Sequence, residues 1–182
     1  MHIVSLSGSP SWRSRSRWLL QLAQTRLESA VRSSHVVAVR ELPAAALLDA
    51  DTRAAPIRAA IDAIAQAELV LVSTPIYKAA YSGLLKLFLD LLPPEALRGK
   101  TVLPLATGGS LAHFLALDYA LKPVLAALGA RDILDGVFAT DAQLAPHESG
   151  GYVPDERLVE RLDRALQPLA ASVLVAETRC SA

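Results

Sequence analysis

The stretch IVSLSGSPSWRSRSRWLLQLAQTRL, residues 3–27, decides the fold. Residues 3–6 are a short apolar run closed by Gly8 and Pro10, the pattern of a buried strand. Residues 18–31 place Leu19, Leu20, Leu22, Ala23, Leu27 and Val31 at helical spacing. Between strand and helix, Ser9, Ser11, Ser14 and Ser16 alternate with Arg13, Arg15 and Arg17. A helix start already carries partial positive charge, so cations gathered there need an answer. Backbone N–H groups at that start, serine hydroxyls and a guanidinium fork together make an anion site. The spacing is not the Walker loop GxxxxGK followed by Ser or Thr. It supplies no GxGxxG, and no cysteine heads the loop as in a phosphatase. A bound phosphate that is not hydrolysed fits what remains. The same residues also read as a solvated basic turn, with Ser14 or Ser16 as an ordinary helix cap.

Working outward, the strand–loop–helix unit repeats. Residues 36–39 read as a second strand, and 43–56, bounded by prolines, as the loosest stretch. A helix over 57–67 leads to a strand over 69–73, a loop over 74–81 and a helix over 83–92 capped by Ser82. A strand over 101–106 ends at Thr107, Gly108 and Gly109. An apolar helix over 111–128 stops at Gly129. A fifth strand over 133–139, a polar loop over 140–153 and a helix over 155–175 complete the chain. Alternating strands and helices imply an α/β fold with a parallel sheet covered on both faces. Five units fit the flavodoxin-like doubly wound order 2-1-3-4-5, in a single domain spanning 1–182. Ligands of such sheets bind beyond the carboxyl ends of the strands, at the switch between strands one and three.

Two further loops fall on that rim. STPIYKAAYSG, residues 73–83, offers Tyr77, Lys78 and Tyr81 among small residues, able to border a flat heteroaromatic ring. LATGGSLAH, residues 105–113, pairs glycines for close backbone approach, with Thr107 or Ser110 as a helix cap. Each alone also reads as plain loop packing. Together the loops suggest a phosphate at the first and a ring held by the other two, the outline of flavin mononucleotide. That dianion would answer the arginines and the helix end at once.

The totals set limits. The chain has 182 residues, with Lys plus Arg at 18, Asp plus Glu at 18, and formal net charge zero. This balance argues against a nucleic-acid or membrane-surface binder. Hydrophobic residues make up 52% and aromatics 5%, so alanine and aliphatics supply the core. The lone Cys180 forms no internal disulfide and no metal cluster is suggested, which points to a reduced, cytoplasmic setting. The N-terminus does not read as a signal peptide, and no run approaches the roughly 18 apolar residues of a membrane span.

GSPSWRSRS, TPIYKAAYSGLLK, LPLATGGSLAH and LDYALKPVL, in this order and spacing, resemble the NADPH-dependent FMN reductases of two-component alkanesulfonate monooxygenase systems. The resemblance runs from residue 3 to about 140. It implies an oxidoreductase that reduces free FMN with NADPH, or with NADH, and passes it to a separate alkanesulfonate monooxygenase for sulfur assimilation. By position it implies that Ser9, Ser14, Arg15 and Ser16 hold the FMN phosphate. Pro75, Ile76, Tyr77 and Lys78 then border the isoalloxazine, and Thr107, Gly108, Gly109 and Ser110 approach it from the fourth strand. Trp12, Arg13 and Arg17 match no family pattern. Hydride passes directly between the two cofactors, so no catalytic side chain is named; Lys78 is the candidate for steadying charge on reduced flavin.

The helix LAHFLALDYALKPVLAALG, residues 111–129, is apolar nearly all round, which points to a subunit interface in a homo-oligomer. His113 reads as an interface or cap residue, without partner ligands for a metal. Pro123 has no N–H for the carbonyl of Tyr119, so the helix should bend or widen there. Enzymes of the resembling family carry a π-helix at a tyrosine matching Tyr119, near a tetramer interface, associated with releasing flavin as a substrate. The alternative enzyme reading retains FMN and reduces quinones, azo dyes or chromate. A third reading, an electron carrier like the strongly acidic flavodoxins, is disfavoured by the neutral charge and the oily helix.

Overall fold

The computed structural model describes the backbone of residues 1–180 and side chains through Leu169. A parallel sheet runs through the centre. Its strands are β1 (His2–Ser7), β2 (Ser33–Ala38), β3 (Leu69–Tyr77), β5 (Thr101–Gly108), and the pair β6 (Asp132–Ile133) and β7 (Val137–Thr140). The order is β2-β1-β3-β5, with β6 and β7 both on the outer side of β5. The sheet therefore has the expected doubly wound order, its fifth strand in two pieces.

Strand alternation divides the core. Ile3, Leu69, Leu71, Leu103 and Leu105 face α1 (Arg15–Leu27) and α6 (Glu156–Cys180), against Leu19, Leu20, Ala23, Leu158 and Leu162. Val4, Leu6, Val70, Val72 and Val102 face the other layer. There α3 (Ala55–Gln66) supplies Ile57 and Ile64, and α4 (Gly83–Leu89) supplies Leu85 and Phe88. A short α2 (Ala44–Leu48) and the start of α3 lie in the stretch expected to be loosest. Among the described residues no helix is long and apolar enough to cross a membrane. The side chain of Cys180 lies outside the described residues.

Several boundaries differ from the sequence expectation. β3 does not stop at Ser73 but continues through Pro75, paired with Thr107 of β5, to Tyr77. A tight turn at Lys78 and Ala79 then returns the chain as β4 (Ala80–Tyr81), antiparallel to β3. Both turn residues have positive φ, 50° and 65°, the mirror-image geometry that lets a two-residue turn follow the strand twist. β5 likewise runs through Thr107 to Gly108. The polar loop after β7 contains a hairpin of β8 (Leu144–Pro146) and β9 (Tyr152–Pro154). The fifth strand breaks at Asp135–Gly136, where a Cβ at 136 would lie 2.9 Å from Leu117 Cδ1.

The expected continuous helix over 111–128 is in fact three pieces. Leu111–His113 is one 3₁₀ turn, Leu117–Leu121 is a π-turn, and α5 (Lys122–Ala127) is regular. Pro123 sits in the first turn of α5, so the register changes where its missing N–H would have broken an α-helical bond. The backbone N–H of Lys122 instead donates to Leu117, five residues back. An ion pair between Lys122 and Asp118, 2.6 Å, spans the segment. This region is not buried all round in the single chain. Leu117, Leu121 and Leu125 are in the core, while Leu111, Phe114, Leu115 and Tyr119 are exposed.

Candidate functional site

The carboxyl ends of β1, β3 and β5 meet at one rim, and hydrogen bonds lock their loops together. Gly8 N–H donates to Ser73 O at 2.8 Å. Ser73 Oγ donates to Ser16 O at 2.7 Å, tying β3 to the first turn of α1. Ser82 caps α4 by accepting from Leu85 N–H at 3.1 Å, and its hydroxyl donates to Gly8 O. The Ser82 N–H donates to Thr74 Oγ1 at 3.0 Å. These buried hydroxyls fix the loop spacing before any ligand arrives. Tyr81, in β4, has its phenol pushed above the ordinary range mainly by burial, against the opposing influence of Lys86 and with a further push from Asp90.

On this rim lies a cleft of about 260 Å³ lined by Ser9, Ser14 and Arg15, by Pro75, Ile76 and Tyr77, and by Thr107, Gly108 and Gly109. Nine of the sequence-selected residues thus converge. Ser11, Arg13 and Asp141 complete the lining and were not selected. Arg13 had a visible signal, its place in the serine–arginine alternation, whereas Asp141 is brought in from the end of β7 by the sheet alone. The remaining selected residues lie elsewhere. Ser16 is 1% exposed and bonded through its hydroxyl to Ser14, 2.9 Å. Ser110 caps the 3₁₀ turn by accepting from Ala112 N–H at 3.2 Å. Lys78 is exposed at the tip of the β3–β4 turn. A larger cleft lies on the other side of the first loop, away from the ends of β3 and β5. The switch-point rule points to the smaller one as the candidate ligand site, because there the three loops meet.

Ser14 is the helix cap, accepting from Arg17 N–H at 3.3 Å, and the first turn of α1 contains no acidic residue. The N–H groups of Arg15 and Ser16, in that turn, have no acceptor within the helix. Arg15 is braced rather than free. Its Nε donates to Leu144 O at 3.0 Å, its Cζ lies 5.0 Å from the centre of the Tyr152 ring, and Nη1 is 3.6 Å from Asp141. At Gly109 an added Cβ would meet only Asp141 Oδ2, at 4.0 Å. Unpaired N–H donors at the first turn of α1 and the room left beside Gly109 fit a phosphate joined to a planar ring. Among the described residues no group of His, Cys, Asp or Glu could hold a metal ion.

Fold and rim together define an α/β protein of flavodoxin-like build with a ligand cleft at the carboxyl edge of its sheet. Its closer affinity is plain from comparison: residues 1–145 match the family model for NADPH-dependent FMN reductase, and the chain belongs to that family. It is 48% identical over 181 residues to an FMN reductase (NADPH) of Pseudomonas putida, covering 98% of this chain and 89% of the relative. It is 46% identical over 168 residues to the FMN reductase (NADPH) of Escherichia coli, covering 92% and 87%. Among solved structures, the apo form of an NADH:FMN oxidoreductase (EMOB) superposes with a TM-score of 0.84 at 40% identity, covering 93% of this chain and 88% of that one. The chain is an oxidoreductase that works on FMN with a nicotinamide nucleotide.

Proposed function

We propose that this protein, one FMN-binding domain over its whole length, reduces free FMN at the rim cleft and releases it to a separate monooxygenase acting on alkanesulfonates. The observation that carries this is the convergence of the three loops on the carboxyl edge of the sheet, with helix N–H donors at one end. In this reading the phosphate sits against the first turn of α1. Ser9 and Ser14 contribute hydroxyls, Arg15 its charge, and Ser16 its backbone N–H, since its hydroxyl is already engaged. Pro75, Ile76 and Tyr77 form one border of the ring and Thr107, Gly108 and Gly109 the other. Lys78 and Ser110, just beyond that lining, act on the ring's edge.

Bound FMN would supply the acceptor for hydride from the nicotinamide. The chain's part would be orientation: the loops braced through Ser73, Thr74 and Ser82 would hold the ring in place for the nicotinamide. Tyr119, 80% exposed in the π-turn, and Pro123 belong to a flavin-release device beside a subunit contact. The exposed Leu111, Phe114 and Leu115 supply the apolar surface of that contact, in a homotetramer. The protein works in the cytoplasm, without nucleic-acid or membrane partners.

Steady-state kinetics tests the reading. Nicotinamide oxidation should saturate with added FMN as a substrate, and adding the monooxygenase with an alkanesulfonate should release sulfite. FMN that stays bound through ping-pong reduction of a quinone would contradict it and favour the FMN-retaining reductase.

A further inference from the structure

The larger cleft, of about 760 Å³, opens on the opposite side of the first loop from the flavin cleft. Trp12, Arg17 and Trp18 line it from the loop and α1, and His147 and Tyr152 from the β8–β9 hairpin. Arg13, Ser14 and Arg15 line both clefts, so the two are separated only by a shared crest.

The charges near that crest are incompletely answered. Arg13 is exposed, and its guanidinium has no hydrogen bond, ion pair or ring contact among the described residues. Arg17 lies 3.8 Å from Glu41 and 5.6 Å from the centre of the Trp12 ring. Glu148 is the carboxylate on the cleft's own lining. The Trp12 indole is 62% exposed, yet it is not a loose side chain. Arg40 places its guanidinium carbon 3.9 Å from the ring centre, with Nε and Nη1 buried and without hydrogen-bond partners. An exposed indole held by cations, with a free arginine beside it, suits a flat base carrying phosphates.

We infer that this second cleft takes the adenosine-phosphate end of NADPH. Trp12 stacks the adenine, and Arg13 and Arg17 meet the phosphates, the ribose 2′-phosphate included. The inference rests on the proposed FMN reduction, because the nicotinamide end must then lie across the crest, over the flavin. It makes the arginine pair a determinant of NADPH over NADH, since NADH lacks the 2′-phosphate.

The test is calorimetric titration of the purified full chain with adenosine 2′,5′-bisphosphate and with 5′-AMP. The bisphosphate should bind about tenfold tighter or more, the scale of a charge-assisted phosphate contact. Arg17→Gln should erase most of that difference, Arg17→Lys should keep part of it, and Trp12→Ala should weaken both ligands alike. The ratio of kcat/KM for NADPH over NADH should fall with the bisphosphate affinity in Arg17→Gln. Equal affinities in the wild-type chain, or a bisphosphate affinity unchanged by Arg17→Gln in a variant with native circular dichroism, would overturn the inference. Because the titration needs no turnover, the two readings fail separately. Bisphosphate binding without FMN reduction sinks the proposed function alone. FMN reduction without bisphosphate binding sinks the adenosine cleft alone.

Discussion

At Gly8 an added Cβ would lie 2.6 Å from Leu85 Cβ, an atom fixed to the backbone of α4, so neither side can yield cheaply. Gly8→Ala should cost about 1–3 kcal/mol of stability, read as a lower urea midpoint at unchanged slope. It should also raise the KM for FMN, because the same contact sets how closely the first loop approaches α4. Lys78 tests a different idea. It is exposed at the tip of the β3–β4 turn, off the cleft lining, so its influence on reduced flavin is that of one solvated charge. Lys78→Met should lower kcat a few-fold in stopped-flow reduction, and an unchanged rate would remove it from the mechanism. Residue types at the rim were legible only jointly: each loop alone also reads as ordinary capping or packing, and it is their place after three strands of one sheet edge that singles them out. Their orientations were not legible. Nothing local to Arg15 announces that Leu144 O, Asp141 and Tyr152 will hold it, since those partners lie more than a hundred residues away along the chain.

Among the elements, the strands of the sheet were readable from their apolar runs, and their ends were not. Thr74-Pro75 signals a turn by local rules, yet β3 continues through it, because pairing of Thr74 with Ala106 and of Pro75 with Thr107 extends the ladder to the rim. The β8–β9 hairpin was hidden for the opposite reason: three-residue strands around Gly150 and Gly151 have too few apolar positions to show a period. The proline at 123 was an informative residue, since a bend or a widening was the stated consequence and a π-turn over Leu117–Leu121 is present. That turn leaves Tyr119 outward and Leu117 inward. Deleting Tyr119 removes the extra residue and should restore regular helical register. If the turn serves flavin release, the deletion protein should purify yellow and transfer reduced FMN poorly. A colourless deletion protein with full transfer activity would defeat that role.

For the whole molecule, the doubly wound order follows from strand and helix alternation, and it puts the three unusual loops on one edge without further assumption. The neutral net charge leaves no broad field to attract an anion, so recognition of a phosphate must come from local donors. The most direct test compares FMN with riboflavin by quenching of flavin fluorescence on titration with the full chain. FMN should bind saturably and riboflavin about tenfold or more weakly, because only FMN carries the phosphate that the proposed site would meet at the first turn of α1. Equal affinity for the two flavins, or no affinity for either, would contradict the site described above.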